Sequence, residues 1–158
     1  MILVTLGTQD KPFTRLLDAL EKLKQNGLIT DDILVQAGFT KYTSNVLKIK
    51  DYYSQIELDE LRQKADLIIT HAGVGSILDS LKFNKKVIGV ARLKMYGEHA
   101  NDHQYEILDV FSLDGYILRC DDFEKLAEVI KSCDKFQPKK YPFDNSKVLE
   151  TILDAINN

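Results

Sequence analysis

A glycine-rich turn between an apolar run and a helical pattern is the stretch of this sequence best suited to chemistry. The run Asp66–Thr70 ends at His71, two glycines flank one valine, and a helical pattern resumes at once. A helix start leaves up to four backbone N–H groups unpaired and carries a partial positive charge, so it attracts an anion. Glycines let the backbone approach that anion without an intervening Cβ. The pattern therefore predicts a phosphate-binding turn made of Gly73, Val74, Gly75 and Ser76.

A carboxylate lies one turn into the predicted helix. At 100° per residue, Ser76 and Asp79 share one face, while Ile77, Leu78 and Leu81 share the opposite face, which can pack on a sheet. A phosphate at the helix start with a carboxylate one turn later suits a nucleotide whose ribose hydroxyls contact Asp79. The alternative is that the glycines only make a tight turn, with Ser76 capping the helix and Asp79 solvated.

Two common nucleotide-binding motifs do not fit this turn. A Walker A loop needs a lysine, which is missing, and the third glycine position of a G-x-G-x-x-G pattern holds Leu78. A dinucleotide site would also favour the turn after the first strand, but Gly7–Pro12 contains a single glycine.

A second polar group follows the apolar run Lys86–Ala91. Burying so many polar side chains is costly without a ligand or a hydrogen-bond network, so the group is predicted to line a cleft. Its members are Glu98, His99, Asn101, Asp102, His103 and Gln104.

A metal site is not expected in this group. His99 and His103 are four apart and could ligate zinc on one helix, but the HExxH pattern fails because position 100 is alanine. The chain also lacks an Asp-x-Asp pair, which many sugar transferases use to hold a metal on the diphosphate. We therefore predict no metal and no cofactor, and expect the helix start and neighbouring donors to neutralise any diphosphate.

Composition indicates a single cytoplasmic domain spanning residues 1–158. A 158-residue chain with 44% hydrophobic residues can bury one substantial core, and its net charge of −3 gives no footprint for nucleic acid. No segment approaches the roughly 18 to 20 apolar residues of a membrane span, and the opening residues lack the features of a signal peptide. Cys120 and Cys133 have no CxxC spacing, which indicates a reducing compartment.

Strands that alternate with helices predict an α/β fold with a doubly wound, mostly parallel, Rossmann-like sheet. Sites in such folds gather at the carboxyl ends of the strands. The predicted strands are Ile2–Gly7, Asp32–Gly38, Val46–Tyr52, Asp66–Thr70, Lys86–Ala91 and Tyr116–Cys120. The predicted helices are Phe13–Leu23, Glu57–Ala65, one from about Val74, one from about Glu98 to Val110, Asp122–Cys133 with Asp122 as its cap, and Asn145–Ile156.

The segments His71–Leu81 and Arg92–Leu108 together resemble the donor-binding half of GT-B glycosyltransferases, and in particular its stand-alone single-half subunits. These include the catalytic subunit of the two-part transferase that adds the second N-acetylglucosamine to a dolichol-linked sugar. They also include bacterial PssE-type capsule and exopolysaccharide subunits. The resemblance covers nearly the whole chain.

The resemblance assigns roles to several residues. It implies that His71, Gly73, Gly75 and Ser76 hold the nucleotide diphosphate, and that Asp79 contacts ribose where the family usually has glutamate. Similarity to the peptidoglycan N-acetylglucosaminyltransferase places a uracil pocket at Tyr52 and Tyr53, with ordinary strand-end packing as the alternative. It implies that the segment Gly7, Thr8 and Gln9 faces the diphosphate. It also implies that the donor-sugar hydroxyls are bound by Asp102, His103 and Gln104; the alternative is that some of these only cap and solvate their helix.

The resemblance also implies half of an inverting, metal-independent enzyme that acts only with a partner. A membrane-anchored second subunit would supply the acceptor half and recruit this chain to the inner face of the membrane, where a lipid-linked acceptor attacks a UDP-sugar. His71 would assist the leaving UDP, and Glu98, His99 or the partner would provide the base. Galactose is slightly preferred as the sugar. The alternatives are a UDP-N-acetylglucosamine-dependent subunit, or a non-catalytic subunit that binds nucleotide sugar or stabilises its partner.

Overall fold

Six parallel strands form the centre of the protein in a computed structural model, which describes residues 1–144, 150–151 and 153–154. The strands are β1 (Ile2–Thr5), β2 (Ile33–Gln36), β3 (Lys48–Lys50), β4 (Leu67–His71), β5 (Lys86–Val90) and β6 (Leu118–Arg119). Their order across the sheet is β3-β2-β1-β4-β5-β6, and every neighbouring pair is parallel. The predicted doubly wound, Rossmann-like fold is confirmed.

Helices cover both faces of this sheet. They are α1 (Thr14–Gln25), α2 (Gln55–Lys64), α3 (Val74–Leu81), α4 (Gln104–Leu113) and α5 (Leu126–Ser132), and one-turn 3₁₀ helices occupy Lys94–Tyr96 and Phe123–Lys125. One hydrophobic core joins α1 and α5 to one face of the sheet, and a second core joins α2, α3 and α4 to the other. Both faces of β1 and β4 are therefore covered, which explains why every residue of these two strands is buried.

The position of the helices creates a crevice at one edge of the sheet. The neighbouring strands β1 and β4 are followed by α1 and α3, which pack on opposite faces. The loops that leave these two strands must therefore diverge, and they open a cleft at the carboxyl edge of the sheet. Both loops carry residues that the sequence analysis selects for donor binding.

Some predicted boundaries are wrong, and local hydrogen bonds explain why. The helix expected from Glu98 begins only at Gln104, because Asp102 accepts a hydrogen bond from the backbone N–H of Lys94 at 2.8 Å and folds the preceding loop back on itself. The third strand is shorter than predicted because the Ser44 hydroxyl accepts hydrogen bonds from the two backbone N–H groups before Lys48 and turns the chain there.

The C-terminal helices divide into a described and an undescribed part. Asp122 caps the one-turn helix at Phe123–Lys125 by accepting a hydrogen bond from the Glu124 N–H at 3.0 Å, as predicted, and α5 follows directly. The predicted helix over residues 145–156 lies mostly outside the described residues. Within the described part of the chain, no helix has the length and apolar character needed to cross a bilayer.

Candidate functional site

His71 lies at the centre of the crevice between two glycines. It is the last residue of β4, and its imidazole packs against the loops after both central strands. A Cβ built on Gly7 would lie 2.5 Å from His71 Nε2, and a Cβ built on Gly73 would lie 2.3 Å from the same atom. Side chains at either position would collide with the ring. Gly7 also has a φ of +78°, so both its backbone conformation and this close approach require glycine.

The His71 imidazole is electrically neutral at physiological pH. Burial lowers the pKa of His71 to about 4, and the nearby Arg92 cation lowers it further. The ring is 8% exposed, and within the described part of the chain its Nδ1 atom is buried without a hydrogen-bond partner. A ligand at this site would therefore meet a neutral imidazole and not a cation, and Nε2 donates to it in the tautomer that carries the proton on that atom.

This buried imidazole should make the stability of the fold depend on pH. The folded pKa of about 4 lies below the ordinary value of 6.5, so the unfolded chain binds more protons between these two pH values. Stability should fall as the pH drops through this window, and this group should cause no further loss below about pH 4. Between pH 7 and pH 5, we expect His71 to account for a loss of about 2 kcal/mol.

Urea unfolding of the wild type and of His71→Asn at the two pH values tests this expectation. Protonation of acidic groups with lowered pKa values also destabilises the fold as the pH falls. Examples are Asp32, Glu57 and Asp66. They are the same in both proteins, so the difference between the two pH dependences isolates His71. If the variant and the wild type lost the same stability, the imidazole would not be held neutral in the fold.

The start of α3 presents backbone N–H groups that the described residues do not cap. Gly73 occupies the N-cap position and has no side chain to cap the helix, and the first turn of α3 contains no acidic residue. Ser76 therefore does not act as the helix cap, contrary to the alternative interpretation of its role. This helix start lies beside His71, so its amides and the imidazole are neighbouring hydrogen-bond groups in the crevice.

Gly75 and Asp79 extend the site along α3. A Cβ built on Gly75 meets no described atom within 4 Å, so the space in front of this residue is open. Asp79 is 38% exposed, and its carboxylate contacts Lys82 Nζ at 3.0 Å and Arg62 Nη2 at 3.9 Å. The aspartate therefore lies on the helix face that the sequence predicts, and its carboxylate is already engaged with two cations.

The two tyrosines after β3 differ in their surroundings. Tyr52 is 45% exposed, and the T-shaped contact of its ring with Phe39 has a centroid distance of 6.4 Å. Its hydroxyl lies 3.8 Å from a Cβ built on Gly38, which in turn would lie 2.4 Å from the Gly7 carbonyl oxygen. Tyr52 thus borders the loop that carries the exposed residues Thr8 and Gln9. Tyr53 is half-buried and packs against the second core.

The residues expected to read the sugar mainly organise their own loop. Gln104 is buried, and its Oε1 accepts a hydrogen bond from the backbone N–H of Arg92 at 2.9 Å. Asp102 Oδ1 is engaged by Lys94 N–H, and His103 is 49% exposed with its Nδ1 atom 3.3 Å from Glu106 Oε2. Because α4 begins at Gln104, the two histidines of the zinc hypothesis do not share a helix. No cluster of three potential metal ligands occurs among the described residues.

Glu98 is a poor candidate for the general base. It is 3% exposed, and its two oxygens accept hydrogen bonds from Arg15 Nε at 2.8 Å and Arg15 Nη2 at 2.9 Å. The backbone N–H of Leu93 donates to the same carboxylate at 2.9 Å. The lone pairs that a base would use are therefore occupied. The carboxylate instead stabilises the loop after β5 by linking it to Arg15. His99, which is half-buried, accepts from the backbone N–H of Asn101 at 3.3 Å.

Arg92 is the site neighbour that the sequence analysis leaves without a role. Its guanidinium is fully buried below the crevice and donates hydrogen bonds to the carbonyl oxygens of Leu6, Lys11 and Glu98. An arginine directly after a buried apolar strand was the available signal, because such a cation needs buried partners. Two of its partners, the Leu6 and Lys11 carbonyls, are distant in sequence, so their identity required the tertiary structure.

Taken together, these groups make the crevice a candidate site for an anion. The unpaired amides of α3 and the neutral imidazole of His71 are donors, and glycines at positions 7, 73 and 75 allow close approach. The rim carries exposed aromatic and polar side chains that could contact the rest of a larger ligand. This arrangement suits a diphosphate attached to an organic group.

Comparison with known sequences identifies relatives of the whole chain. The profile of the Glycosyltransferase family 28 C-terminal domain matches residues 1–158. The UDP-N-acetylglucosamine transferase subunit ALG13 of Candida glabrata is 33% identical over 121 residues, which covers 77% of this chain and 50% of that protein. The protein of the same name from Saccharomyces cerevisiae is 33% identical over 94 residues, covering 59% of this chain and 45% of that one. The chain thus spans about half the length of these curated relatives.

Solved structures share the fold. An NMR solution structure of ALG13 superposes with a TM-score of 0.60 at 23% identity and covers 96% of this chain and 94% of that one. A crystal structure of Acinetobacter baumannii MurG gives a TM-score of 0.53 at 16% identity, covering 98% of this chain and 45% of that one. At these identities the likeness establishes the architecture alone.

Proposed function

This chain belongs to the Glycosyltransferase family 28 C-terminal domain family, and on that premise we propose that it is the donor-binding half of a UDP-sugar-dependent glycosyltransferase. The observation that carries the proposal is the proximity of the uncapped start of α3 to the neutral His71 imidazole, where the loops after β1 and β4 meet. The diphosphate of the donor would bind there, with its sugar directed towards the loop after β5.

The proposed mechanism uses these donors on the leaving group. As the bond between the anomeric carbon and UDP breaks, negative charge grows on the diphosphate. The amides of Val74, Gly75 and Ser76 and one N–H of His71 would stabilise that charge, because they are already oriented in the folded protein. Inversion at the anomeric carbon and independence from metal stay predictions from the resemblance. The base remains assigned to His99 or to a partner, since Glu98 is engaged with Arg15.

A second subunit would complete the enzyme. A Cβ built on Gly75 meets no described atom within 4 Å, so a donor bound to this chain alone at the start of α3 would be exposed to water and poorly oriented toward an acceptor. Exposed apolar side chains at the same edge support a partner surface there, namely Phe39, Tyr52, Met95 and Tyr96. We propose that this partner is membrane-anchored, binds a lipid-linked acceptor and brings the chain to the cytoplasmic face of the membrane.

N-acetylglucosamine is the sugar that the comparisons favour. The curated relatives carry UDP-N-acetylglucosamine transferase in their names. No comparison supports the initial preference for galactose or the role in exopolysaccharide synthesis, so we propose UDP-N-acetylglucosamine as the first donor. UDP-galactose is the second donor to be tested, in the thermal-stability assay described next.

A panel of nucleotide sugars tests the proposed function through thermal stability. A ligand that binds only the folded chain stabilises it by about 2.7 kcal/mol at one hundred times its dissociation constant. For a chain of this size, that corresponds to a rise in Tm of roughly 5 to 10 °C. We expect such a rise with UDP and UDP-N-acetylglucosamine and none with ADP-glucose, which serves as the control. If no uridine nucleotide raised the Tm, the proposal would be wrong.

Reconstitution distinguishes a catalytic from a non-catalytic subunit. The chain is mixed with its partner, the best-binding UDP-sugar and a lipid-linked acceptor, and sugar transfer is measured by mass spectrometry. We expect transfer only when both proteins are present. Transfer by the partner alone, at the same rate, would show that this chain only binds the donor or stabilises the partner.

A further inference from the structure

We propose that Arg92 is a positioning residue that holds the Gly7–Gln9 loop against His71 and thereby shapes the donor crevice. Arg92 is fully buried and is the largest of the fully buried side chains among the described residues. It follows β5, whereas the loop that it holds follows β1. The inference deepens the proposed function, and it rests on that function for its measurement of UDP binding.

The guanidinium of Arg92 grips both ends of the loop. Its Nε and Nη2 atoms donate to the Leu6 carbonyl oxygen at 3.1 and 2.5 Å, and Nη1 donates to the Lys11 carbonyl oxygen at 2.7 Å. Leu6 directly precedes Gly7, and Lys11 lies two residues after Gln9. One rigid, planar group therefore sets the distance between the two ends of the segment that faces the proposed diphosphate.

Little else holds this loop by hydrogen bonds. In the described part of the chain, the only other hydrogen bond found for residues 6–12 runs from the Leu6 N–H to the Gln36 carbonyl oxygen at 3.1 Å. Thr8 and Gln9 are exposed, so packing does not restrain them. The loop would therefore lose most of its hydrogen bonds if the Arg92 guanidinium were removed.

The rest of the crevice holds Arg92 itself in place. Gln104 Oε1 accepts from the Arg92 backbone N–H at 2.9 Å, and the Glu98 carbonyl oxygen accepts from Arg92 Nη1 at 3.1 Å. The ring of Phe13 lies 5.0 Å from the guanidinium carbon. The loop after β1 and the loop after β5 are thus joined through one side chain, so a shift in either loop is transmitted to the other.

The loop position matters because Gly7 contacts the catalytic candidate. The space around His71 Nε2 is so restricted that a single added carbon at Gly7 would lie 2.5 Å from it. A displaced loop would therefore open the packing around the imidazole. The Arg92 charge also contributes to the lowered pKa of His71, which gives a second way to observe its influence.

Two variants at this position test the proposal in the full-length chain. Arg92→Met removes the charge and all of the guanidinium hydrogen bonds. Arg92→Lys keeps the charge, but its ammonium group can hydrogen-bond to only some of the Leu6, Lys11 and Glu98 carbonyl oxygens. We expect UDP affinity, measured by calorimetry, to fall by about tenfold or more in Arg92→Met and by less in Arg92→Lys. We also expect the His71 titration midpoint, followed by NMR of the ring signals, to rise in Arg92→Met.

Arg119→Met is the matched control. Arg119 is 25% exposed, has several partners, which include Asp121, and lies on the edge strand β6 away from the crevice. Its removal should lower the Tm but leave UDP affinity and the His71 midpoint unchanged. If it reduced UDP affinity as much as Arg92→Met does, the effect at Arg92 would be general destabilisation and the proposal would fail.

The remaining outcomes also decide the question. A folded Arg92→Met protein with wild-type UDP affinity would overturn the proposal whatever its His71 midpoint, because loss of the charge alone raises that midpoint. If Arg92→Met did not fold, the same comparison between Arg92→Lys and the wild type would decide it. If the wild type bound no UDP, the proposed function would fail, but the His71 midpoint of Arg92→Lys, which keeps the charge, would still test the loop contact: a shifted midpoint would support it and a wild-type midpoint would overturn it.

Discussion

Replacing Gly75 with valine is expected to abolish measurable UDP binding and to leave the fold as stable as the wild type. Gly75 is the second residue of α3, and a Cβ built on it meets no described atom within 4 Å. Its backbone conformation suits any residue, and valine has a helix propensity about 0.5 kcal/mol better than glycine. The valine side chain would instead fill the space in front of the helix amides, where the diphosphate is proposed to bind.

Calorimetry and urea unfolding separate the two effects. We expect a loss of UDP affinity of roughly a hundredfold or more, because the side chain blocks several charge-assisted hydrogen bonds at once. Gly75→Ala should show a smaller loss. Gln63→Val, which adds the same side chain at an exposed position on α2, should bind UDP like the wild type. Wild-type affinity in Gly75→Val would place the nucleotide elsewhere on the protein.

Replacing Gly38 with alanine should greatly reduce the stability of the fold, unlike the change at Gly75. Gly38 has a φ of +59°, a conformation that costs an alanine roughly 1 to 2 kcal/mol. The added Cβ would also lie 2.4 Å from the carbonyl oxygen of Gly7, and this backbone atom cannot move aside like the tip of a flexible side chain. Together these effects should destabilise the fold by about 3 kcal/mol.

A second glycine separates the clash from the conformational cost. Gly27 has a φ of +71°, but a Cβ built there meets nothing within 4 Å among the described atoms. We expect Gly27→Ala to lower the Tm by only about 3 °C and Gly38→Ala to lower it by about 10 °C. Equal losses would mean that the clash with Gly7 is relieved without cost. Because Gly7 borders His71, we also expect weaker UDP binding in Gly38→Ala alone.

Much of the architecture follows from local sequence patterns. Apolar runs such as Ile2–Thr5 predict strands covered on both faces, and the helical spacing of Leu16, Leu17 and Leu20 predicts the buried face of α1. These signals are strong because the burial of each strand or helix face depends on residues that are close in sequence. The turn at Gly73–Ser76 was found for the same reason, since a strand, a turn and a helix are adjacent along the chain.

The predictions fail where polar side chains bond to distant residues. The sequence pattern predicts a helix over Glu98–His103, but Glu98 pairs with Arg15, which is 83 positions away in sequence. The same contact turns a proposed base into a brace for the loop. Arg92 had no predicted role because its partners, the carbonyls of Leu6 and Lys11, have no side-chain signature in the sequence.

The sequence by itself determined most of the strands and helices, the mostly parallel arrangement that their alternation indicates, and the resemblance to a family. Only the tertiary structure decided that His71 is buried between Gly7 and Gly73, that its imidazole is neutral, and that Arg92 holds the first loop. The physical reason is one of range. Helix and strand formation depends on the periodicity of neighbouring residues, whereas desolvation and hydrogen bonding in the crevice depend on atoms that only the folded sheet brings together.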